Sequence, residues 1–238
     1  MRNPILMVCV LLMVNTSVRS EELFSSFDGV PASIFGISSQ VFSDFPPGSF
    51  TIGADDFEVL SNQDGWTIRR INVQGLFFNI QAVEPTPDSI NVYILGDSNG
   101  QPDTTDLAAA SIYAAENLNT FTNNNGNFSI TLPGGGVNLP AGTYWLAIHP
   151  NMPLANGAQW GWVESSADGN PGTANGAVSV WFQSSELINM NCIAMWGQRI
   201  SNCDIGGTSN PQDPDLAFQI EGSQFNLDVI FKDNFDFN

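Results

Sequence analysis

The chain has few basic residues, a single histidine and only three cysteines. Its 238 residues include 6 Lys and Arg against 24 Asp and Glu. So large an acidic excess repels nucleic-acid phosphates and anionic membrane surfaces, so we expect neither as a partner. One histidine excludes metal sites built from several, such as the H-E-x-x-H site of metalloproteases. The only lysine, Lys232, lies in the C-terminal tail, which excludes a P-loop.

No apolar run in the sequence is long enough to span a bilayer. A short run at residues 5–14 follows Arg2 and is followed by small residues around Arg19. This order predicts a secretory signal peptide over residues 1–20. Its removal takes two of the six basic residues, so the mature charge is 4 − 24 = −20. The sequence therefore predicts a protein that is secreted or held at the cell surface, with no membrane span in the mature chain.

The cysteine positions agree with export. Cys9 lies within the predicted signal peptide, which leaves Cys192 and Cys203. Two cysteines in an oxidising compartment predict one disulfide. A redox dithiol or a metal pair is the alternative, but the spacing is not C-x-x-C and no other Cys or His lies nearby in the sequence.

Short runs of β-branched and aromatic residues follow one another from about residue 50. Residues 66–73 and 89–95 alternate apolar and polar side chains, and Gly-rich or Asn-rich turns separate the runs. This pattern predicts an all-β fold, an antiparallel β-sandwich of jelly-roll type, as a single domain over residues 49–222. We expect an irregular lead-in over residues 21–48 and a C-terminal tail over residues 223–238.

Several of these segments occur in the order found in a known module. They are residues 54–57 (ADDF), 66–68 (WTI), 92–94 (VYI), 139–146 (LPAGTYWL) and 217–222 (AFQIEG). Together they resemble a jelly-roll-like β-sandwich module of secreted bacterial proteins that has no assigned activity. The resemblance covers residues 40–222 and implies this fold and export. It brings no catalytic residues with it.

The C-terminal tail carries a second resemblance. Its sequence IFKDNFD is similar to the IFxDGFE endings of secreted gammaproteobacterial proteins, with Asn234 in place of the usual Gly. Alternation through Leu227, Val229 and Phe231 would also let the tail pair with a sheet edge, in its own chain or in a neighbour's. A frayed terminus is the alternative.

Signatures of catalysis are scarce, and we expect the protein not to be an enzyme. A Ser-His-Asp triad would need His149, but Pro150 follows it and no G-x-S-x-G sequence is present. We therefore interpret His149 as a residue at the end of a strand. A carboxylate pair acting as the acid and base of a glycan hydrolase stays open, because 24 acids offer many pairs and nothing selects one.

Four aspartates predict a calcium site. Asp55 and Asp56 open the first long strand, and Asp213 and Asp215 precede the last. The first and last strands of a jelly roll can be neighbours, so the four carboxylates could converge where Ca²⁺ would offset their repulsion. Solvated turn residues are the alternative. Residues 97–103 resemble the start of an EF-hand loop, but Pro102 stands where Gly is needed, so we interpret them as a hairpin turn.

The tryptophans suggest a ligand. Trp160 and Trp162 share one face of a predicted strand, and Trp145 lies on a neighbouring run. They would either stack on sugar rings or pack in the core. The sequence therefore supports three hypotheses. The first is a secreted, non-enzymatic module for extracellular or cell-surface binding or adhesion, with a glycan ligand and calcium as stabiliser. The others are a structural subunit of an extracellular assembly, paired through its C-terminal strand, and a carboxylate-based glycan hydrolase.

Overall fold

The computed structural model describes residues 20–30, 35–62, 64–78, 85–154, 159–165, 177–187, 191–199, 201–205 and 215–225. Strands dominate these residues, and their bounds are β1 (Glu21–Ser25), β2 (Gly36–Ser38), β3 (Gln40–Phe42), β4 (Phe50–Val59), β5 (Gly65–Val73), β6 (Gly75–Phe78), β7 (Ser89–Gly96), β8 (Tyr113–Leu118), β9 (Phe121–Asn124), β10 (Asn127–Thr131), β11 (Val137–Pro140), β12 (Gly142–Met152), β13 (Gln159–Ser165), β14 (Val180–Gln183), β15 (Gly197–Gln198), β16 (Asp215–Leu216) and β17 (Phe218–Phe225). One short helix, α1 (Leu107–Ala110), precedes β8.

The strands form three sheets. A six-stranded sheet runs β1-β17-β5-β10-β9, with β11 also paired to β5. A seven-stranded sheet runs β15-β14-β4-β3-β12-β7-β8, and β4 also pairs with β12 directly. A smaller four-stranded sheet joins β16, β13 and β2, with β6 beside β13. Among the named strands of the described ranges, only β3 and β12 pair in parallel.

The main core lies between the six-stranded and the seven-stranded sheets. Alternate residues of β5, β17, β4 and β12 point into it because successive side chains of a strand face opposite sides. Phe57 of β4 stacks on Trp66 of β5 at a centroid distance of 6.2 Å and contacts Phe218 of β17 edge-on at 6.4 Å. Burying each such ring stabilises the fold by about 1.5–3 kcal/mol. The aromatic residues therefore hold the two layers together.

A bulge explains why the alternation in β5 is interrupted. Ile68 and Ile71 are three positions apart, yet both are fully buried in the same core. The pairing with β17 shifts at this point, because Arg70 lies opposite Glu221 while Ile68 lies opposite Gly222. The extra residue in β5 restores the inward direction of the apolar side chains.

The seven-stranded sheet is covered on its outer face as well. A second apolar cluster there contains Trp145 of β12 and Tyr93 of β7. Leu107 of α1 and Trp196, from the loop between the two cysteines, pack against it. The central strands of this sheet are thus buried on both faces, and most residues of β7 and β12 are buried regardless of their position in the alternation.

These observations confirm the predicted all-β, antiparallel, sandwich-like single domain. They correct the predicted lead-in and the predicted C-terminal boundary of the domain. The predicted irregular lead-in contains three short strands, β1, β2 and β3, which pair with the sheets through backbone hydrogen bonds that composition does not reveal. The last strand also continues past the predicted boundary at residue 222 to Phe225. The predicted signal peptide, apart from Ser20, and the tail from residue 226 onward lie outside the described residues. Within the described ranges, no helix has the length and apolar character needed to cross a membrane.

Candidate functional site

The three tryptophans considered as ligand-binding residues lie in the protein interior. Trp145, Trp160 and Trp162 are each 0% exposed. Each indole nitrogen donates a hydrogen bond of 2.8–2.9 Å to a protein acceptor: Trp145 to Asp97 Oδ1, Trp160 to the Gly126 carbonyl and Trp162 to the Ala217 carbonyl. Trp160 and Trp162 do share a face, but it is the face that lines the main core. No ring face is left for a sugar, so we assign all three to packing.

A groove of about 560 Å³ lies beside the loop that the two cysteines close. Three amide side chains and three apolar ones supply most of its lining: Gln101, Asn191, Asn202, Ile193, Met195 and Trp196. Met195 is 59% exposed and Ile193 is 37% exposed, which is unusual for large apolar side chains in this fold. Among the described residues that line it, none is charged. In a chain with 24 acidic residues, an uncharged groove with exposed apolar groups is a distinct surface.

The disulfide fixes the shape of this groove. Cys192 and Cys203 are bonded, as the sequence predicts, with their Cα atoms 5.3 Å apart. Cys192 and Ala194 both adopt positive φ, at 52° and 55°, which non-glycine residues rarely do and which costs about 1 kcal/mol or more each. A Cβ at Gly197 would lie 2.5 Å from the Cys192 sulfur, so glycine is needed for the loop to fold over the bridge.

Two buried contacts anchor the loop to the rest of the protein. Trp196 is 9% exposed, donates from Nε1 to the Thr104 carbonyl at 2.6 Å, and packs on Phe182. Arg199 donates from Nη1 to Glu164 of β13 at 2.7 Å, and both side chains of this ion pair are buried. The loop is therefore a rigid part of the molecule, and a ligand in the groove would meet a preformed surface.

His149, in β12 of the seven-stranded sheet, lines a second, smaller groove of about 360 Å³. The imidazole is 2% exposed and makes edge-on contacts with Phe50 and Tyr93, at centroid distances of 5.3 and 5.6 Å. Asn91 donates from Nδ2 to Nε2 at 3.1 Å, which leaves the proton on Nδ1. Burial lowers the pKa of His149 to about 3, against a weaker opposing effect of the Thr51 backbone. The ring is therefore neutral, and it serves as a hydrogen-bond acceptor within a strand.

The predicted calcium ligands come together only in part. Asp55 and Asp215 are close, because Asp55 Oδ2 accepts a hydrogen bond of 2.6 Å from the Leu216 backbone. Burial, followed by the negative charges of Asp215 and Asp56, raises the pKa of Asp55 well above its ordinary value. Asp56 points to the other face of β4, since its alternate neighbour Ala54 belongs to the outer cluster. Asp213 lies outside the described residues.

The turn at residues 97–103 is the hairpin turn that the sequence predicts. Asp97 and Pro102 form an isolated antiparallel bridge, and the Ser98 backbone nitrogen donates to the Gln101 carbonyl at 2.8 Å. The turn therefore presents Gln101 to the groove beside the disulfide loop. Asp97 is engaged with the Trp145 indole and the Gly100 backbone rather than with a set of other carboxylates.

The sequence did not predict the residues of the groove beside the disulfide loop. Asn191 and Asn202 each precede a cysteine of the predicted disulfide, but nothing in the sequence shows that Gln101, from a distant turn, meets them. The available signal was the apolar sequence inside the cysteine loop, residues 193–196, of which Ile193 and Met195 are exposed in the structure.

Comparisons with known proteins add no relative. No protein-family model, no curated protein and no solved structure matches the chain. In the ranges described above, no three or more His, Cys, Asp or Glu side chains are grouped as metal ligands. The candidate site thus stands on the geometry of the groove beside the disulfide loop. The pairing strand predicted around Leu227, Val229 and Phe231 lies outside the described residues and stays a prediction.

Proposed function

We propose that the protein is a secreted, non-enzymatic binding module that holds a neutral glycan in the groove beside its disulfide loop. The observation that carries this proposal is the lining of the groove, which combines amide side chains with exposed apolar ones and contains no charge. The acidic surface elsewhere, with 24 Asp and Glu in the chain, keeps such a module soluble and disfavours acidic ligands.

Sugars match this combination of groups. A pyranose ring presents hydroxyl groups around its rim and an apolar patch of C–H groups on its face. The amides of Gln101 and Asn202 can both donate to and accept from hydroxyl groups, because an amide carries both functions. Met195 and Ile193 offer apolar contact area for the ring face. The volume of about 560 Å³ falls within the range of small-molecule sites and accommodates a few sugar units.

The same lining supports binding without cleavage. Glycoside hydrolysis normally requires two carboxyl groups placed on either side of the scissile bond. The residues that line this groove include no Asp and no Glu. A glycan held here would meet amide and apolar groups, which recognise it but supply neither the acid nor the base.

Export supports an extracellular ligand. A disulfide persists in oxidising compartments and is rare in the cytosol. Here the Cys192–Cys203 bridge shapes the groove itself, so the proposed site depends on such a compartment. The predicted signal peptide and the resemblance to secreted bacterial modules point in the same direction.

Affinity electrophoresis and a glycan array would test the proposal. The mature protein should bind one or more neutral polysaccharides and none rich in uronic acid or sulfate. Gln101→Ala should weaken binding by roughly two- to tenfold, the cost of one lost hydrogen bond. Met195→Ala removes exposed apolar contact area and should weaken binding as well. Incubation with the ligand should release no new reducing ends.

Matched substitutions elsewhere serve as controls. Gln224→Ala removes an equally exposed amide from β17, and Ile112→Ala removes an apolar side chain that is 50% exposed. Both variants should bind as the parent protein does. Failure of every neutral glycan to bind, or binding that Gln101→Ala and Met195→Ala leave unchanged, would show that this groove is not the site.

A further inference from the structure

Asp55 is a buried carboxylate with one oxygen that the protein leaves unsatisfied. Its side chain points into the interior from β4, and the residue is 2% exposed. Oδ2 accepts a hydrogen bond of 2.6 Å from the Leu216 backbone. Oδ1 is buried and has no hydrogen-bond partner. A buried oxygen without a partner costs about 1–3 kcal/mol, and more when it is charged.

A second carboxylate lies beside it. Asp215 precedes Leu216 in β16, is 8% exposed, and is close enough for its charge to act on Asp55. Two negative charges in a largely apolar environment repel strongly, because little water is present to screen them. Leu216 and the neighbouring Phe218 are fully buried, so the pair lies at the margin of the core rather than at the surface.

Neither protonation state of Asp55 resolves the problem alone. As a carboxylate, Oδ1 is an acceptor without a donor. As a carboxylic acid, Oδ1 would need the neighbouring Asp215 carboxylate as its acceptor, and the pair would still hold a negative charge in the interior. A water molecule could bond to Oδ1 but would not offset the charge of the pair. A cation would do both.

We propose that Asp55 and Asp215 form a binding site for a calcium-class divalent cation that ties the C-terminal strands to β4. Two carboxylates match the charge of such an ion. Calcium takes about six to eight oxygen ligands in irregular geometry, so backbone carbonyls and water complete the shell that two side chains begin. Magnesium demands near-ideal octahedral geometry and suits an irregular strand junction less well. Both aspartates precede buried segments, so the ion would stabilise the packing of β16 against β4.

Calorimetric titration and thermal unfolding of the mature protein test this site. After treatment with a chelator, the protein should release or absorb heat on titration with calcium chloride and respond more weakly to magnesium chloride. Calcium at roughly a hundredfold excess over its dissociation constant should raise the melting temperature by about 5–10 °C. The site is independent of glycan binding, so the titration is done without a sugar and its outcome leaves the proposed function untouched.

Single substitutions identify the ligands. Asp55→Asn and Asp215→Asn keep the size of the side chain and should abolish both the titration heat and the melting shift. Asp88→Asn changes an exposed acid and should leave both intact. A parent protein whose melting temperature calcium does not change, or an Asp55→Asn variant that keeps the full shift, would overturn the proposal. In the first case, a parent protein that gains stability relative to Asp55→Asn between pH 7 and pH 5 would identify a shared proton in place of the ion, because the loss that His149 causes is common to both proteins.

Discussion

The buried imidazole of His149 should make the protein lose stability as the solution becomes mildly acidic. His149 is the only histidine in the chain, so its titration can be followed without interference from others. In the folded protein its pKa is lowered from 6.5 to about 3, chiefly because burial disfavours the charged ring. In the unfolded chain the ring returns to its ordinary pKa. Between these two pH values the unfolded state binds a proton that the folded state does not.

The sign and size of the effect follow from this difference. Stability contributed by the neutral ring is fully present above pH 6.5 and is lost as the pH falls towards 3. At pH 5 the loss is about 2 kcal/mol, and the slope between the two pKa values is about 1.4 kcal/mol per pH unit. The 24 acidic residues also titrate towards the lower end of this range, so the measurement must separate their effect from that of His149.

Urea unfolding of the parent protein and of His149→Gln, from pH 8 to pH 5, isolates the contribution. Glutamine retains an acceptor for the Asn91 amide but does not titrate. The parent should lose about 2 kcal/mol relative to the variant across this range. Proton NMR of the single imidazole should show no titration between pH 8 and pH 5. A constant difference between the two proteins, or an imidazole that titrates near pH 6.5, would refute the reasoning.

Two further predictions concern the loop that shapes the groove. Glu164→Gln should lower the free energy of unfolding by about 3–5 kcal/mol in urea, because it removes the negative charge that the buried Arg199 contacts at 2.7 Å. A loss below about 1 kcal/mol would show that this ion pair contributes little. Replacing both Cys192 and Cys203 with serine should lower the free energy of unfolding by about 3 kcal/mol, as expected for a bridge between residues 11 positions apart. Reduction of the parent with dithiothreitol should give a similar loss. No loss would show that the loop keeps its shape without the disulfide.

The fold was accessible from the sequence where a local pattern carries the information. Alternation located β5 and β7, which the sequence predicts over residues 66–73 and 89–95, and the cysteine pair was correctly joined. The lead-in was misread because β1, β2 and β3 are short and owe their structure to partners distant in the sequence. Backbone pairing over such distances leaves no mark on local composition.

The candidate sites show the same limit. Asp55 does lie near Asp215, but β4 and β16 belong to different sheets, so a side chain–backbone contact and not the predicted neighbouring of strands brings them together. Asp55 and Asp56 do not point to one site, because adjacent residues of a strand face opposite sides of the sheet. The shared face of Trp160 and Trp162 could be predicted from the sequence but its direction could not, because an aromatic stripe looks the same whether a sheet or solvent lies opposite. The groove lining joins the cysteine loop to the distant turn that carries Gln101, and this meeting of two regions could be seen only in three dimensions.

Burial of the seven-stranded sheet on both faces has an evolutionary consequence. In β7 and β12 neither set of alternate positions is free to accept a charged or bulky replacement, so these strands should change little as the protein diverges. Variation can accumulate instead on the open outer face of the six-stranded sheet and at the rim of the cysteine loop. A lineage could thereby acquire new ligand preferences at that rim while its interior stays almost constant.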